Sequence, residues 1–155
     1  MILPILLFLA VLGAHLPAYG GERCSPKDGP EVGIGILCDR ARTALEAREL
    51  SVARDLAVTA TDLAPSHPGV WVVRAEVEQF GRRLDLARQY YERAAELEPS
   101  NPALLVLMGD FEAQEGNVRG AAVLYEKAAD IDVSYPGLSE RLEAVASDAP
   151  ASSEI

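Results

Sequence analysis

The chain has 155 residues, of which 49% are hydrophobic and 25% are charged, and this composition suits one soluble domain with an apolar core. Its formal net charge of −10 and isoelectric point near 4.6 exclude the clustered basic surface that phosphate groups require. We therefore expect neither nucleic acid nor an anionic membrane surface as a partner.

The first 20 residues differ from the rest because they contain no Lys, Arg, Asp or Glu. Residues 2–12 form an apolar run of about eleven residues, too short to cross a bilayer, which needs roughly 20. Its length fits the core of a secretory signal peptide, and Ala18 and Gly20 supply small side chains for cleavage before Gly21. This predicts a periplasmic or secreted protein. The segment lacks a basic residue, so an uncleaved membrane anchor and an internal hydrophobic helix stay open.

Two cysteines, Cys24 and Cys38, follow the first segment. An even number of cysteines in an exported protein predicts one disulfide, which would tie the leader, residues 21–33, to the first helix. The closed loop of about 15 residues would contribute roughly 3 kcal/mol to stability. Two unpaired thiols are the alternative.

Three short segments recur at a constant step at residues 65–68, 99–102 and 133–136. Their last residues, Pro68, Pro102 and Pro136, are 34 positions apart. A 34-residue period with helical patterning inside it predicts an array of helix–turn–helix units rather than a compact enzyme fold.

The first unit is the weakest copy of the pattern. Apolar residues at helical spacing predict helices over 34–47 and 52–63, with Ser51 as the N-cap of the second. Arg48 and Glu49 stand in its turn, where a glycine would be expected.

The second and third units have clearer limits. His67 and Asn101 precede the prolines that open these units, and both suit the N-cap position. Gly81 and Gly116 are expected to end the first helices. Pro136 opens a further helix with one apolar and one polar side, as a terminal cap requires.

These units resemble the tetratricopeptide repeat (TPR) family over about 100 residues. The residues that carry the resemblance are Trp71, Ala75, Ala87, Tyr91, Ala94 and Pro99 in the middle unit; Leu105, Met108, Gly109, Gly116, Ala121, Tyr125 and Ala128 in the last; and Leu37, Ala41, Ala53, Ala60 and Pro65 in the first. The resemblance implies an all-α, right-handed α-solenoid of three helix–turn–helix units plus a C-terminal capping helix. The expected organisation is a signal peptide at 1–20, the leader at 21–33, units at 34–67, 68–101 and 102–135, the cap at 136–147 and a disordered tail at 148–155.

The small residues at repeated places indicate close helix packing. They are Ala41, Ala75 and Gly109 in the first helices and Ala53, Ala87 and Ala121 in the second. Small side chains at both places let paired helices approach toward the short end of the usual 8–10 Å range.

Residues for catalysis are scarce. His67 is the only histidine after the first 20 residues, and its place before a proline indicates a capping residue. There is no His/Cys cluster with metal-ligand spacing, no phosphate-binding glycine loop and no nucleophile elbow. The sequence predicts a protein that is not an enzyme and needs no cofactor.

The resemblance also implies a concave groove lined by the first helix of each unit. The groove residues would be Asp39, Arg42, Val72, Val73, Glu76, Gln79, Phe80, Val106, Leu107, Asp110 and Gln114. Its valines, Phe80 and Leu107 would form an apolar floor flanked by Glu76 and Asp110, which suits an amphipathic helix or an apolar extended segment with basic flanks. Alternatively, the capping helix or the leader fills the groove.

Some family members bind the acidic tails of heat-shock chaperones through basic and Asn side chains in this groove. The corresponding places here hold Cys38, Arg42, Val73, Ala103 and Leu107, so the resemblance does not support a carboxylate clamp.

We therefore predict an exported, non-catalytic adaptor or scaffold that binds a protein or peptide. The alternatives are a structural module that self-associates as a homo-oligomer and an envelope scaffold tethered to the membrane by an uncleaved first segment.

Overall fold

The computed structural model describes residues 31–148, which form seven α-helices and no strand. The helices are α1 (Glu31–Glu46), α2 (Leu50–Leu63), α3 (Pro68–Phe80), α4 (Leu84–Leu97), α5 (Pro102–Gln114), α6 (Val118–Ile131) and α7 (Leu138–Asp148). Helices α1 to α6 pair in chain order as three hairpins, and α7 packs against α6. The all-α class, the helix–turn–helix units and the C-terminal helix are thereby confirmed.

The terminal predictions fall mostly outside the described residues. The signal peptide, Cys24 and the tail after Asp148 lie there, so the disulfide and the cleavage site stay predictions. At the borders the structure corrects three details. Helix α1 already begins at Glu31, within the expected leader. Helix α7 begins at Leu138 rather than at Pro136, because Pro136 and Gly137 lie in a turn and Gly137 has a φ of +74°. Asp148 belongs to α7 rather than to the tail.

The N-caps of α3 and α5 follow the prediction. His67 Nδ1 accepts a hydrogen bond from Gly69 N at 3.1 Å, and Asn101 Oδ1 accepts one from Ala103 N at 3.0 Å. Each bond satisfies an amide that the helix itself leaves unpaired at its start. The predicted Ser51 cap is wrong, because α2 begins at Leu50, two residues earlier than expected, and Glu49 takes the cap position without a side-chain bond.

The turn inside each hairpin contains one residue in the left-handed region. These residues are Arg48 (φ +61°), Arg82 (φ +58°) and Gly116 (φ +83°), which are 34 positions apart. Gly81, expected to end α3 through its backbone, has an ordinary φ of −75°. A Cβ there would lie 3.2 Å from an Arg54 guanidinium nitrogen and 3.3 Å from Cδ2 of Leu50, so this glycine packs closely against α2.

The core is divided among the hairpins and the seams between them. The small residues predicted for close packing, including Ala75, Ala87 and Ala121, are fully buried. A Cβ on Gly109 would lie 2.3 Å from Cε1 of Tyr125, so α5 and α6 approach each other as the prediction requires. Trp71 and Leu105 occupy equivalent places beside α4 and α6.

Within residues 31–148, no helix combines the length and the apolar character needed to cross a bilayer.

Candidate protein-binding surface

The structure separates the predicted groove residues into two sets. Six of them reach one polar wall formed by the first helices of the hairpins: Arg42, Glu76, Gln79, Phe80, Asp110 and Gln114. The other five lie elsewhere, and they include most of the apolar floor.

Val72 and Val106 are 34 residues apart, and both are buried in the core. Val72 packs in the cluster that contains Tyr91 and Leu104, and Val106 packs in the cluster that contains Tyr125. Their place in the predicted groove is wrong, because the side chains at this position fill the seam toward the following unit.

Val73 and Leu107 directly follow Val72 and Val106 in the sequence, and their side chains face the preceding unit instead of the following one. Val73 is fully buried in the cluster of the first hairpin, and Leu107 packs against the cluster of the second, so each contacts the preceding unit. Asp39 is their counterpart in α1, where it is exposed. Successive side chains on a helix differ in direction by about 100°, and at both of these positions they point into the seams between units. This wall therefore has no apolar floor.

Hydrogen bonds join the first helices and the cap along the wall. Arg42 Nε donates to Glu76 Oε2 at 3.0 Å, which joins α1 to α3. Gln79 Nε2 donates to Gln114 Oε1 at 3.0 Å, which joins α3 to α5. Asp110 accepts two bonds from Arg141 of α7, at 2.7 and 2.9 Å. We call this set the polar row: Arg42, Glu76, Gln79, Asp110, Gln114 and Arg141.

Two tyrosines from the second helices support the polar row from behind. The Tyr91 hydroxyl donates to Gln79 Oε1 at 2.9 Å, and the Tyr125 hydroxyl donates to Asp110 Oδ1 at 2.8 Å. Burial raises the pKa of both phenols, so they stay protonated donors at physiological pH. These bonds fix the orientation of the Gln79 amide and the Asp110 carboxylate.

The charges of the polar row are balanced within the molecule. Two guanidinium groups, Arg42 and Arg141, face two carboxylates, Glu76 and Asp110. Burial raises the pKa of Glu76, while the Coulombic attraction and hydrogen bond of Arg42 oppose that rise. The wall therefore offers hydrogen-bonding groups without a net charge.

The sequence interpretation missed an ion pair that recurs at equivalent places between successive hairpins. Glu78 and Glu112, only 2% and 7% exposed, receive Arg54 and Arg88 respectively from the preceding hairpin. Arg83 also binds Glu78, and Asn117 donates to Glu112 at 2.7 Å. The two glutamates are 34 apart, as are Arg54 and Arg88, so the period itself was a usable indication.

No described residues form a group of three or more His, Cys, Asp or Glu side chains suited to a metal ion. His67 uses Nδ1 as the acceptor of its capping bond. The residues that converge on the polar row bind one another.

Comparison with known proteins supports the fold. No family model matches the chain, and no curated protein matches it by sequence. Among solved structures, the first TPR domain of Spaghetti (RPAP3) bound to the HSP90 peptide SRMEEVD is similar, with 14% identity, a TM-score of 0.64, and coverage of 76% of this chain and 93% of that one.

Two further structures extend this comparison. The Sgt2 TPR domain from Aspergillus fumigatus shares 20% identity, with a TM-score of 0.65 and coverage of 82% of this chain and 89% of that one. The Yersinia enterocolitica type III secretion chaperone SycD in complex with a peptide of the translocator YopD shares 17%, with a TM-score of 0.62 and coverage of 73% and 92%. The fold of this chain is that of a TPR domain.

Proposed function

We propose that this protein is a non-catalytic adaptor that binds a segment of another protein on the wall made by α1, α3, α5 and α7. Two structurally similar proteins have bound peptides: the first TPR domain of RPAP3 with a peptide of HSP90, and the chaperone SycD with a peptide of YopD. The observation that carries the proposal is the polar row, which crosses all four helices and is held in place by buried tyrosines.

The chemistry of the wall favours an uncharged, extended segment. The carboxylates and guanidinium groups are already paired, whereas the Gln79 and Gln114 amides have donors and acceptors beyond their mutual bond. Phe80 is 46% exposed at the end of α3 and is the repeat counterpart of Gln114. A bound segment would pair its backbone with the amides and place an apolar side chain against Phe80.

An acidic C-terminal tail fits this wall poorly. Of the places where the family resemblance assigns a carboxylate clamp, Cys38, Val73 and Ala103 are buried and apolar. Arg42 is engaged by Glu76. An added carboxylate would therefore meet no free guanidinium in the described part of the wall and would approach the carboxylates of Glu76 and Asp110.

Selection from a displayed library of random peptides against the full chain tests this proposal. We expect selected peptides to bind the parent and to lose about tenfold or more in affinity with Phe80→Ala or Gln114→Ala. Val133→Ala is the control, because Val133 is 83% exposed in the loop before α7. Equal affinity of parent, Phe80→Ala and Gln114→Ala would exclude this wall as the site.

We also propose that the protein works outside the cytoplasm. The support is the uncharged first segment and the two cysteines, of which Cys38 is fully buried in α1. The intact mass of protein from its native host should correspond to a chain that begins near Gly21, and a retained first segment would instead favour the membrane-tethered alternative. Thiols counted after denaturation without reductant should be absent, and two reactive thiols would exclude the Cys24–Cys38 disulfide.

A further inference from the structure

Two grooves lie between the second helices of successive hairpins. The α2/α4 groove is lined by Thr61, Asp62, Pro65, Trp71, Arg74 and Tyr90. Each of these six residues has its counterpart, 34 positions later, in the α4/α6 groove: Ala95, Glu96, Pro99, Leu105, Met108 and Leu124. Leu105 lies nine positions before Gln114, about 180° around α5, so these grooves are on another side of the helices from the polar row.

Aromatic and cationic side chains line the α2/α4 groove and contact one another. The Trp71 and Tyr90 rings lie 5.8 Å apart, and the Arg74 guanidinium lies 4.9 Å from the centre of the Tyr90 ring. Arg93 lies 6.0 Å from the Trp71 ring, and the Trp71 indole donates to the carbonyl of Pro65 at 2.8 Å. Ring–ring and cation–ring contacts are thus made inside this groove, and Arg74 Nη1 donates to Thr61 Oγ1 at 2.8 Å, while the buried Arg74 Nε has no hydrogen-bond partner among the described residues.

The α4/α6 groove lies at the equivalent place in the next repeat but is lined by different side chains. Aliphatic or thioether side chains replace the aromatic and cationic ones, because Leu105, Met108 and Leu124 stand for Trp71, Arg74 and Tyr90. The three are only partly buried, and the open groove above them has a volume of about 520 Å³, against about 420 Å³ for the first. Ile131 extends the apolar floor and is 44% exposed. Methionine adapts its shape to different apolar side chains, which suits a binding surface.

The rim of the α4/α6 groove is acidic. Glu92, Glu96 and Asp130 line it and are exposed, and Lys127 is the only cation among its lining residues. Glu96 accepts a hydrogen bond from Arg93 at 2.7 Å. The net charge of the whole chain, −10, has the same sign as the rim. An apolar floor between carboxylates is complementary to a segment with apolar residues on one side and basic residues on the others.

We propose that the α4/α6 groove is a second docking site, which takes an amphipathic, basic helix of another protein. The apolar side of that helix would contact Leu105, Met108 and Ile131. Its Lys and Arg residues would pair with Glu92, Glu96 and Asp130. A helix placed between two helices packs its side chains into the groove they leave, and apolar residues at i, i+4 and i+7 meet such a floor in one line. The site is independent of the polar row, so the chain would join two different partners.

The test uses a synthetic, fluorescein-labelled peptide of about 18 residues with Leu at i, i+4 and i+7 and Lys or Arg elsewhere. Fluorescence anisotropy with the full chain should show saturable binding that weakens as salt is raised. Two comparison peptides serve as controls. One has the same residues in scrambled order, and the other has Glu in place of the basic residues. Binding of the scrambled peptide equal to that of the ordered one, or no binding of the ordered peptide, would overturn the proposal.

Paired variants locate the peptide. Ile131→Asp should weaken binding about tenfold or more, whereas Val123→Asp should leave it unchanged. Val123 is on the same helix, is 49% exposed and does not line the groove. Both sites are on the surface, so both variants should fold, and circular dichroism checks this. Equal affinity of the two folded variants contradicts the proposed site.

The charge contribution is tested separately. Reversal of the rim with Glu92→Lys and Glu96→Lys should weaken binding about tenfold, while Glu126→Lys and Glu143→Lys change the net charge equally and should have less than a twofold effect. Glu126 and Glu143 are exposed and lie outside the groove. Equal losses with both double variants would show attraction by net charge alone, and the proposed groove would then be wrong.

Discussion

Glu78 and Glu112 hold equivalent places in consecutive hairpins, and each buried carboxylate is bound by an arginine from the hairpin before it. Arg88 Nε lies 2.7 Å from Glu112 Oε1, and its Nη2 lies 3.2 Å from Oε2. The pairs cross the seams between units, where an isolated repeat would expose its apolar face. They therefore add a polar, directional contact to seams that are otherwise formed by aliphatic and aromatic side chains.

Removal of one partner should be more harmful than removal of both. Arg88→Met leaves the buried Glu112 carboxylate with Asn117 as its remaining side-chain donor, and we expect the free energy of unfolding to fall by about 3 kcal/mol. Adding Glu112→Leu to that variant removes the unpaired charge and should restore most of the loss. Urea unfolding of the parent and the three variants of this cycle measures the coupling.

Arg119→Met is the matched control, because Arg119 is exposed on α6 and lies away from the seam. It should change the unfolding free energy by less than about 0.5 kcal/mol. If Arg88→Met had an equally small effect, the ion pair would not contribute to the seam.

The Glu112 ion pair should make stability depend on pH in acid. The hydrogen bond from Arg88 lowers the pKa of Glu112 below its ordinary value of 4.5. A lowered folded-state pKa contributes stability above the unfolded pKa and loses it as the pH falls through the folded value. The stability difference between parent and Glu112→Gln should therefore be constant above about pH 5.5 and shrink below about pH 4.5. Chemical unfolding at pH 3 to 7 measures it, and a difference that does not change with pH would contradict the assignment.

Glu76 should show the opposite sign. Burial raises its pKa above 4.5, so the folded state favours the protonated form, and this contribution to stability grows as the pH falls through the folded value. The free energy of unfolding of the parent, relative to Glu76→Gln, should rise as the pH is lowered from 7 toward 4.5. A relative decrease over that range would mean that Arg42 outweighs the burial of the carboxylate.

The helix limits of the second and third hairpins could be predicted because they depend on local chemistry. Pro68 and Pro102 fix the first helical residues, and His67 and Asn101 cap them within two residues along the chain. The left-handed turn residue was harder to assign, because Arg82 adopts that conformation while the adjacent Gly81 does not. Glycine permits a positive φ but does not require it.

The composition of the wall could not be predicted, because a shift of one position along a helix decides which neighbouring unit a side chain contacts. Val72 and Val73 are neighbours in sequence, yet one packs toward the following unit and the other toward the preceding unit. The role of Glu78 could not be predicted either, because its neutralising partners, Arg54 and Arg83, come from another helix and from a turn. A carboxylate on a helix is by default solvated. Only its recurrence as Glu112 distinguishes it.

The turn of the first hairpin should be improved by glycine. Arg48 has a φ of +61°, a conformation that costs a residue with a Cβ about 1 kcal/mol, and its repeat counterpart is Gly116. Arg48→Gly should therefore raise the free energy of unfolding by up to about 1 kcal/mol. Thermal unfolding by circular dichroism should show a higher midpoint.

Arg82→Gly is the informative comparison. It relieves the same backbone conformation but removes two hydrogen bonds to Glu115, at 3.0 and 3.2 Å. Its gain should be smaller than that of Arg48→Gly, by the small amount that an exposed ion pair contributes. A loss of stability with Arg48→Gly would show that the left-handed turn is not strained.

Two glycine-to-alanine substitutions should have opposite effects, although both lie within helices. A Cβ on Gly33 of α1 would meet nothing within 4 Å, so Gly33→Ala should stabilise by about 0.5 to 1 kcal/mol through helix propensity. A Cβ on Gly109 of α5 would lie 2.3 Å from the Tyr125 ring. That ring cannot easily withdraw, because its hydroxyl donates to Asp110, which also binds Arg141. Gly109→Ala should destabilise by about 3 kcal/mol.

The cause of the Gly109→Ala loss can be identified with a second substitution. Tyr125→Leu alone removes the ring and its hydrogen bond and should be destabilising, since Tyr125 is only 2% exposed. The double variant Gly109→Ala/Tyr125→Leu, however, should lose less stability than the two single variants lose together. The smaller leucine side chain would leave room for the new methyl group. Urea unfolding of this cycle provides the coupling energy. Strict additivity would mean that the alanine perturbs α5 itself, and the close approach of α5 to α6 at Tyr125 would not be the reason for the glycine.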